Sequence, residues 1–248
     1  MSRSRCADGF TLVELLVVLL VMTILASGLA WPLAAQVNAR RTEAARQQLD
    51  DARDALLGFA AAHGRLPCPA PAASDEEAFA SGGDAVNGEC AAFAGWLPAA
   101  TIGLAGGAGP FRDPWEQRLR YAVASLPVNG VTRPFTRANG MQAASLPALG
   151  AAAHFLFVCA SGQAATASGC GPASAQLTRR AVFVLLSCGP NGARVPAAGT
   201  DEARNLDGNA VFVAREPGAD GNAEFDDLVS WVGVPLLAHR LLAAGRLP

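Results

Sequence analysis

The chain has 248 residues, 51% of them hydrophobic, with 19 basic and 21 acidic side chains and a formal net charge of −2. That length accommodates one domain of ordinary size plus an extended helix. Every basic residue is arginine, and the near-neutral balance excludes the concentrated positive surface that a nucleic-acid partner requires.

Met1–Gly9 is short and polar and carries Arg3, Arg5 and Asp8. An apolar run follows, and from Leu15 to Ala35 it holds no charge, long enough for a spanning helix of about 20 residues. Arg3 and Arg5 favour an N-terminus left in the cytoplasm, which places the rest of the chain across the membrane. Glu14 lies near the start of the run. A carboxylate near the bilayer centre costs roughly 2.5–3.5 kcal/mol, so it calls for a function and a partner. On apolar length alone three readings compete: a secretory signal peptide cut after the run, a plain signal anchor, and a leader cut before the run.

Spacing separates them. Gly9-Phe10-Thr11-Leu12-Val13-Glu14, followed by uncharged Leu15–Gly28, resembles the type IV prepilin cleavage and methylation motif position by position. Asp8 departs from it, standing where a basic or small residue is more usual. The resemblance implies that prepilin peptidase cuts between Gly9 and Phe10 and methylates the new Phe10 amine. It also implies that Glu14 of one subunit meets the Phe10 amine of a neighbour in a filament. An α-amine with a pKa of about 7.7–8 is largely cationic at neutral pH. Such a pair offsets two desolvation costs that neither group bears alone. Without Arg3, Arg5 and Asp8 the remaining chain has 17 basic and 20 acidic side chains.

The leader is thus residues 1–9, and 10–35 is the transmembrane and assembly half of a long helix. Residues 36–62 are its amphipathic half. Ala45, Leu49, Ala52, Leu56 and Phe59 recur at three- and four-residue steps and form one stripe. Arg40, Arg41, Glu43, Arg46, Asp50, Asp51, Arg53 and Asp54 form a solvated face with local ion pairs. Gly28 and Pro32 are expected to weaken or kink the helix, and Gly64 to Pro69 ends it. Residues 68–110, rich in Gly, Ala and Pro, read as an ordered loop with a short helix.

Strand-like runs follow at Leu119–Val123, His154–Cys159, Ala181–Cys188 and Ala210–Ala214, each bounded by turn residues. Pro235–Ala244 reads as a C-terminal helix stopped by Gly245. The fold expected is α+β: the long membrane-inserting N-terminal helix packed on a small antiparallel sheet, a pilin-like roll, with 63–248 as the globular domain.

Cys6 lies in the leader. The other five cysteines lie on the exported, oxidising side, where disulfides persist; two bonds among five allow fifteen arrangements. Cys68–Cys90 would staple the loop after the helix and Cys159–Cys170 a loop between strands, leaving Cys188 over. Metal binding by these thiols is disfavoured, because there is no C-x-x-C pair and no histidine nearby in sequence.

Asp113-Pro114-Trp115 with Tyr121 resembles an element of major pseudopilins from type II secretion. That resemblance implies a proline-set turn leading into the first strand, with Trp and Tyr buried against the helix. Ser187–Gly192 and Glu224–Trp231 resemble the two ends of the pseudopilin calcium loop, split here by Ala193–Ala223. Calcium takes six to eight oxygens, and Asn191, Asp226 and Asp227 are the candidate ligands, with Asp201, Asp207 and Asp220 as further oxygen sources. The alternative is structural: Asp220-Gly221-Asn222 as a turn, and Asp226 and Asp227 capping a helix around Trp231.

His63, His154 and His239 are widely spaced, and no nucleophile elbow, zincin or phosphate-loop motif is present. No catalysis is expected. The reading is a minor pilin or pseudopilin that anchors once in the inner membrane, with the N-terminus cytoplasmic and the domain periplasmic, before assembly into a type II secretion pseudopilus or type IV pilus. Its expected partners are prepilin peptidase, other pilin subunits, the inner-membrane assembly platform and membrane lipid. The alternative is a membrane-anchored periplasmic binding or adhesion module that never polymerises.

Overall fold

The computed structural model describes residues 11–104, 111–220 and 223–247; for 25–35, 219, 220 and 223 it describes the backbone alone. The chain divides into two compact units, Met1–Glu43 and Ala44–Pro248. Helix α1 (Leu12–His63) contributes to both. Its helical assignment is unbroken at Gly28 and Pro32.

The second unit begins with the amphipathic end of α1. Ala45, Leu49, Ala52, Leu56, Leu57, Phe59 and Ala60 are buried, so the three- and four-residue spacing of the stripe becomes one packed face. A fully buried leucine of this kind contributes roughly 1.5–3 kcal/mol. Gly64 ends the helix in the left-handed region (φ 69°), with its N–H donating to the Ala60 carbonyl at 2.7 Å. An added Cβ there would meet Asn139 Oδ1 at 2.9 Å.

The remaining strands and α-helices, in chain order, are β1 (Ala94–Trp96), β2 (Arg120–Val123), α2 (Gly140–Ala144), α3 (Leu146–Ala151), β3 (Leu156–Cys159), β4 (Gln176–Ser187), α4 (Asp201–Asn205), β5 (Val211–Val213), β6 (Gly218–Asp220), β7 (Ala223–Phe225), β8 (Leu228–Gly233) and α5 (Val234–Ala243). One sheet runs β1-β2-β4-β3-β5, with β8 also paired to β4; β6 and β7 form a separate hairpin. Strand β4 is the spine. It pairs antiparallel with β2 (Tyr121 opposite Leu185) and with β8 (Val184 opposite Trp231). Every residue from Ala181 to Cys188 is buried. A strand covered on both faces reads as a continuous apolar run, which is why this segment does not alternate.

The expected fold needs three corrections. The sheet is not wholly antiparallel, because β5 lies parallel to β3. The chain from β3 to β5 passes through β4 and the 188–210 segment, a connection long enough to return a strand in the same direction. Residues 68–104 hold no helix; they hold β1, and Ala70 bridges Trp96 through bonds of 2.9 and 3.0 Å. Gly95 permits that approach, since a Cβ on it would meet the Ala70 carbonyl oxygen at 2.7 Å. Trp231 lies in strand β8, so Asp226 and Asp227 precede a strand and cap no helix.

Two disulfides close loops in this unit, Cys68–Cys90 and Cys159–Cys170, while Cys188 is free and buried. A buried ion pair anchors the 68–104 segment. Arg65 donates to both oxygens of Glu77, at 2.8 and 2.7 Å, and its guanidinium lies 5.2 Å from the Phe59 ring centroid and 5.5 Å from that of Phe79. At the far end of the chain Arg246 donates to the Ala61 and Ala62 carbonyls in the last turn of α1, where cationic donors are favoured.

Candidate functional site

Two places hold the residues singled out by the sequence. The first is the start of α1. Thr11 precedes the first helical residue, and its Oγ1 accepts the Glu14 N–H at 3.3 Å. Its carbonyl accepts the Leu15 N–H at 3.2 Å. Glu14 therefore sits exposed in the first turn, where the helix dipole favours a negative charge. Gly9 and Phe10 lie outside the described residues.

The second place is where the turn after β4 meets the entry to β8. Gly189, with φ 62°, passes so close to Asp226 that an added Cβ would meet its carbonyl oxygen at 2.5 Å. Asn191 follows; its N–H donates to Asp226 Oδ2 at 3.3 Å, and its amide Nδ2 donates to both oxygens of Glu202, at 2.9 and 3.1 Å. Glu202 belongs to α4, which Thr200 caps by accepting the Ala203 N–H at 3.2 Å. Glu202 Oε1 also accepts the Asp226 N–H at 3.1 Å. Asp227 Oδ2 accepts from Asn205 Nδ2 at 2.7 Å. The Asn205 amide in turn exchanges bonds with the Val213 backbone, at 2.7 and 3.1 Å, and so covers part of the outer edge of β5.

Glu202, Asp226 and Asp227 bring one oxygen each within 4.8 Å of one another, the one such grouping of potential metal ligands among the described residues. Burial pushes the Asp226 carboxyl up to about 7, reinforced by the Glu202 charge and opposed by the Asn191 N–H. Burial likewise pushes Asp227 up to about 7, against the stabilising bond from Asn205. Asp226 Oδ1 is enclosed with no hydrogen-bond partner among the described residues. An all-oxygen set of three clustered carboxyls with an unused acceptor suits a hard cation such as calcium, so the residues present fit that ion.

Of the further oxygen sources expected, Asp201 is held by Gly162 N–H and Arg215 Nε, both at 2.9 Å. Asp207 is held by Asn209. Neither joins the cluster, and the Asp220 side chain lies outside the described residues. Glu202 takes the place expected of them. Its signal in the sequence was the acidic pair directly after Thr200, a helix start within the inserted segment.

Beside the cluster, Asp113 is buried and organises the Asp-Pro-Trp turn. Its Oδ1 accepts the Trp115 and Gln117 N–H groups at 2.9 and 2.8 Å, and its Oδ2 accepts from Ser187 Oγ at 2.6 Å. Tyr121 is fully enclosed and donates to the Pro67 carbonyl at 3.1 Å, and burial holds its hydroxyl well above the usual phenol range. Trp115 is half-buried against the core. Burial and the neighbouring Asp227 push the Cys188 thiol up to about 12, so it is protonated and inert.

Residues 4–30 match the family model described as the prokaryotic N-terminal methylation motif. The chain carries the processing signature of type IV pilins and pseudopilins. That signature implies prepilin peptidase processing, anchoring in a membrane and assembly with other pilin subunits. Neither a curated protein nor a solved structure matches the chain. Among the described residues no helix is long and apolar enough to cross a membrane; the 10–35 span rests on Phe10 and on the side chains of 25–35, which lie outside them.

Proposed function

We propose that the chain is a minor pilin or pseudopilin, a non-enzymatic structural subunit of a type II secretion pseudopilus or type IV pilus. Prepilin peptidase releases residues 1–9. The segment 10–35 then holds the subunit in the inner membrane with its domain in the periplasm, and the assembly platform moves it into the filament. The observation that carries this reading is the methylation motif at residues 4–30 together with Glu14 in the first turn of a 52-residue helix. The Phe10 amine is the natural counter-charge, since a buried carboxylate needs a paired, hydrogen-bonded cation.

Within that reading the Glu202–Asp226–Asp227 cluster takes calcium. The ion would be held by these three carboxylates and would supply positive charge to a buried acidic junction, tying the inserted segment and its α4 helix to the end of the sheet. Asn191 and Asn205 orient the carboxylates. The test of function is Glu14→Ala: the variant is processed and membrane-bound but absent from filaments. Filament yield equal to the unaltered protein would remove the assembly role.

A further inference from the structure

Strand β8 lies at a border of the sheet, and one of its edges is free. On β2, the Val123 N–H donates to the Phe93 carbonyl at 2.9 Å, and just beyond it the Ala124 N–H donates to the Val182 carbonyl at 2.8 Å. Ala122 and Ala124 therefore turn their backbone groups to β4, where Val182, Val184 and Leu186 answer them. The alternate β4 residues Phe183, Leu185 and Ser187 turn the other way, onto Val232, Ser230 and Leu228. That leaves the N–H and C=O groups of Val229 and Trp231 pointing outward. Among the described residues no hydrogen bond reaches them. Leu228–Gly233 carries neither charge nor proline, two of the devices that keep a strand edge from pairing.

The free edge opens on a cavity of about 580 Å³ between β8, α1 and Ala214–Pro217, with Leu49, Leu177 and Trp231 among its walls. Arg46 of α1 and Glu216 of the facing wall approach to 4.0 Å, and exposed pairs of this kind are weak. Such an edge is completed by another extended backbone, and the apolar walls suit apolar side chains at alternate positions. This chain displays a segment of that kind. Val195 is 94% exposed, the most exposed large apolar side chain among the described residues, and its backbone makes no hydrogen bond among them. Arg194 turns its own N–H back to the Asn191 carbonyl at 2.7 Å, and its side chain is exposed. Pairing through Val195 and the Ala197 N–H turns the Pro196 edge away, where its missing N–H is harmless. Arg194 then brings positive charge to Asp50 and Glu216 on the cavity walls.

We propose that Arg194–Ala197 of one copy docks as an added strand on the free edge of β8 of a second copy, with Val195 in the cavity. The two surfaces differ, so the contact runs head to tail and can repeat from copy to copy. It adds a contact between globular domains to the filament-subunit reading and rests on that reading for the presence of neighbouring copies.

The experiment uses two differently tagged full-length chains co-expressed with prepilin peptidase and oxidised in isolated membranes. One carries Val195→Cys and the other Val229→Cys or Trp231→Cys, since residues opposite each other on paired strands bring their Cβ atoms close enough to cross-link. At least one mixed pair should give a disulfide-linked dimer about tenfold above any chain oxidised alone. Adding Val229→Pro to the Trp231→Cys chain removes an outward N–H and spares the β4 ladder. It should leave the thermal unfolding midpoint nearly unchanged and lower the mixed dimer about tenfold, the effect of one backbone donor lost from an interface. Ser230→Pro, which removes a ladder bond to β4, should unfold the domain instead. No mixed dimer from either cysteine partner overturns the proposal. So does a dimer of equal yield from Val229→Cys alone, which would mean that β8 pairs with β8, or a mixed dimer undiminished by Val229→Pro. Filament entry of the unaltered chain is read separately: its loss sinks the functional reading, while entry without the mixed dimer sinks this inference alone.

Discussion

Replacing Asp227 with Asn tests the acidic junction most sharply. Asp227 is 3% exposed, and its carboxyl stands at about 7 in the folded chain, where burial and the Glu202 and Asp226 charges raise it above the ordinary 3.8. A raised carboxyl means that the folded chain keeps a proton which the unfolded chain has already lost. Stability from this group is therefore full below about pH 4 and declines as pH rises through about 7. A gap of about three pH units at 1.36 kcal/mol each sets an upper magnitude of about 4 kcal/mol for the ionised group. Asn cannot ionise, yet its carbonyl can still accept the Asn205 Nδ2 bond. The variant should thus be more stable than the parent by ~2–4 kcal/mol near pH 8 in chelator, and nearly equal to it near pH 4. Denaturant unfolding of the full chain in detergent at both pH values measures this. Calcium then acts unequally on the two proteins: at a hundredfold excess over its dissociation constant it stabilises a binding chain by about 2.7 kcal/mol, and Asp227→Asn should lose most of that gain. Equal destabilisation of the variant at both pH values would refute the account of a carboxyl raised by burial and its acidic neighbours.

Two further perturbations test the segment after α1. Glu77→Ala leaves the Arg65 guanidinium buried without its carboxylate and the Cys68 N–H without its acceptor; removing one partner of such a pair costs about 3–5 kcal/mol in unfolding measurements, and Glu77→Gln should cost less. The Cys68–Cys90 bond spans a separation of 22 residues, for which chain-entropy arithmetic gives about 3.4 kcal/mol of stabilisation. A Cys68→Ser, Cys90→Ser double variant should lose about that much, and a loss below about 1 kcal/mol would show that the loop is held by Glu77 instead.

The helical stripe was legible because each of its residues sits at a three- or four-residue step, and that periodicity needs only one packed face. The β4 run was legible for the opposite reason: a strand buried on both faces keeps Ala181–Leu186 apolar without alternation. Strand β8 was missed because Leu228–Gly233 follows an acidic pair and includes Trp231, whose local pattern suits a capped helix equally well. Its strand state is set by pairing with Leu185 and its neighbours, more than forty residues away. Strand β1 is three residues long and contains Gly95, and pairing with the backbones of β2 and Ala70, rather than its own side chains, keeps it extended. The parallel alignment of β5 with β3 depends on the path of the intervening chain, which no local pattern encodes. At the acidic junction, Asp226 and Asp227 were visible as adjacent carboxylates, but Glu202 comes from within the inserted segment. Only the docking of α4 brings it to Asn191.

The central claim is that cleavage before the apolar run turns a membrane precursor into a subunit whose new amine meets Glu14. The direct measurement is the intact mass and N-terminal sequence of the chain extracted from membranes, with and without prepilin peptidase. The account predicts a mature protein that begins at methylated Phe10 and has lost Met1–Gly9, formed only when the peptidase is present. An intact Met1, or a cut beyond the apolar run, would contradict it.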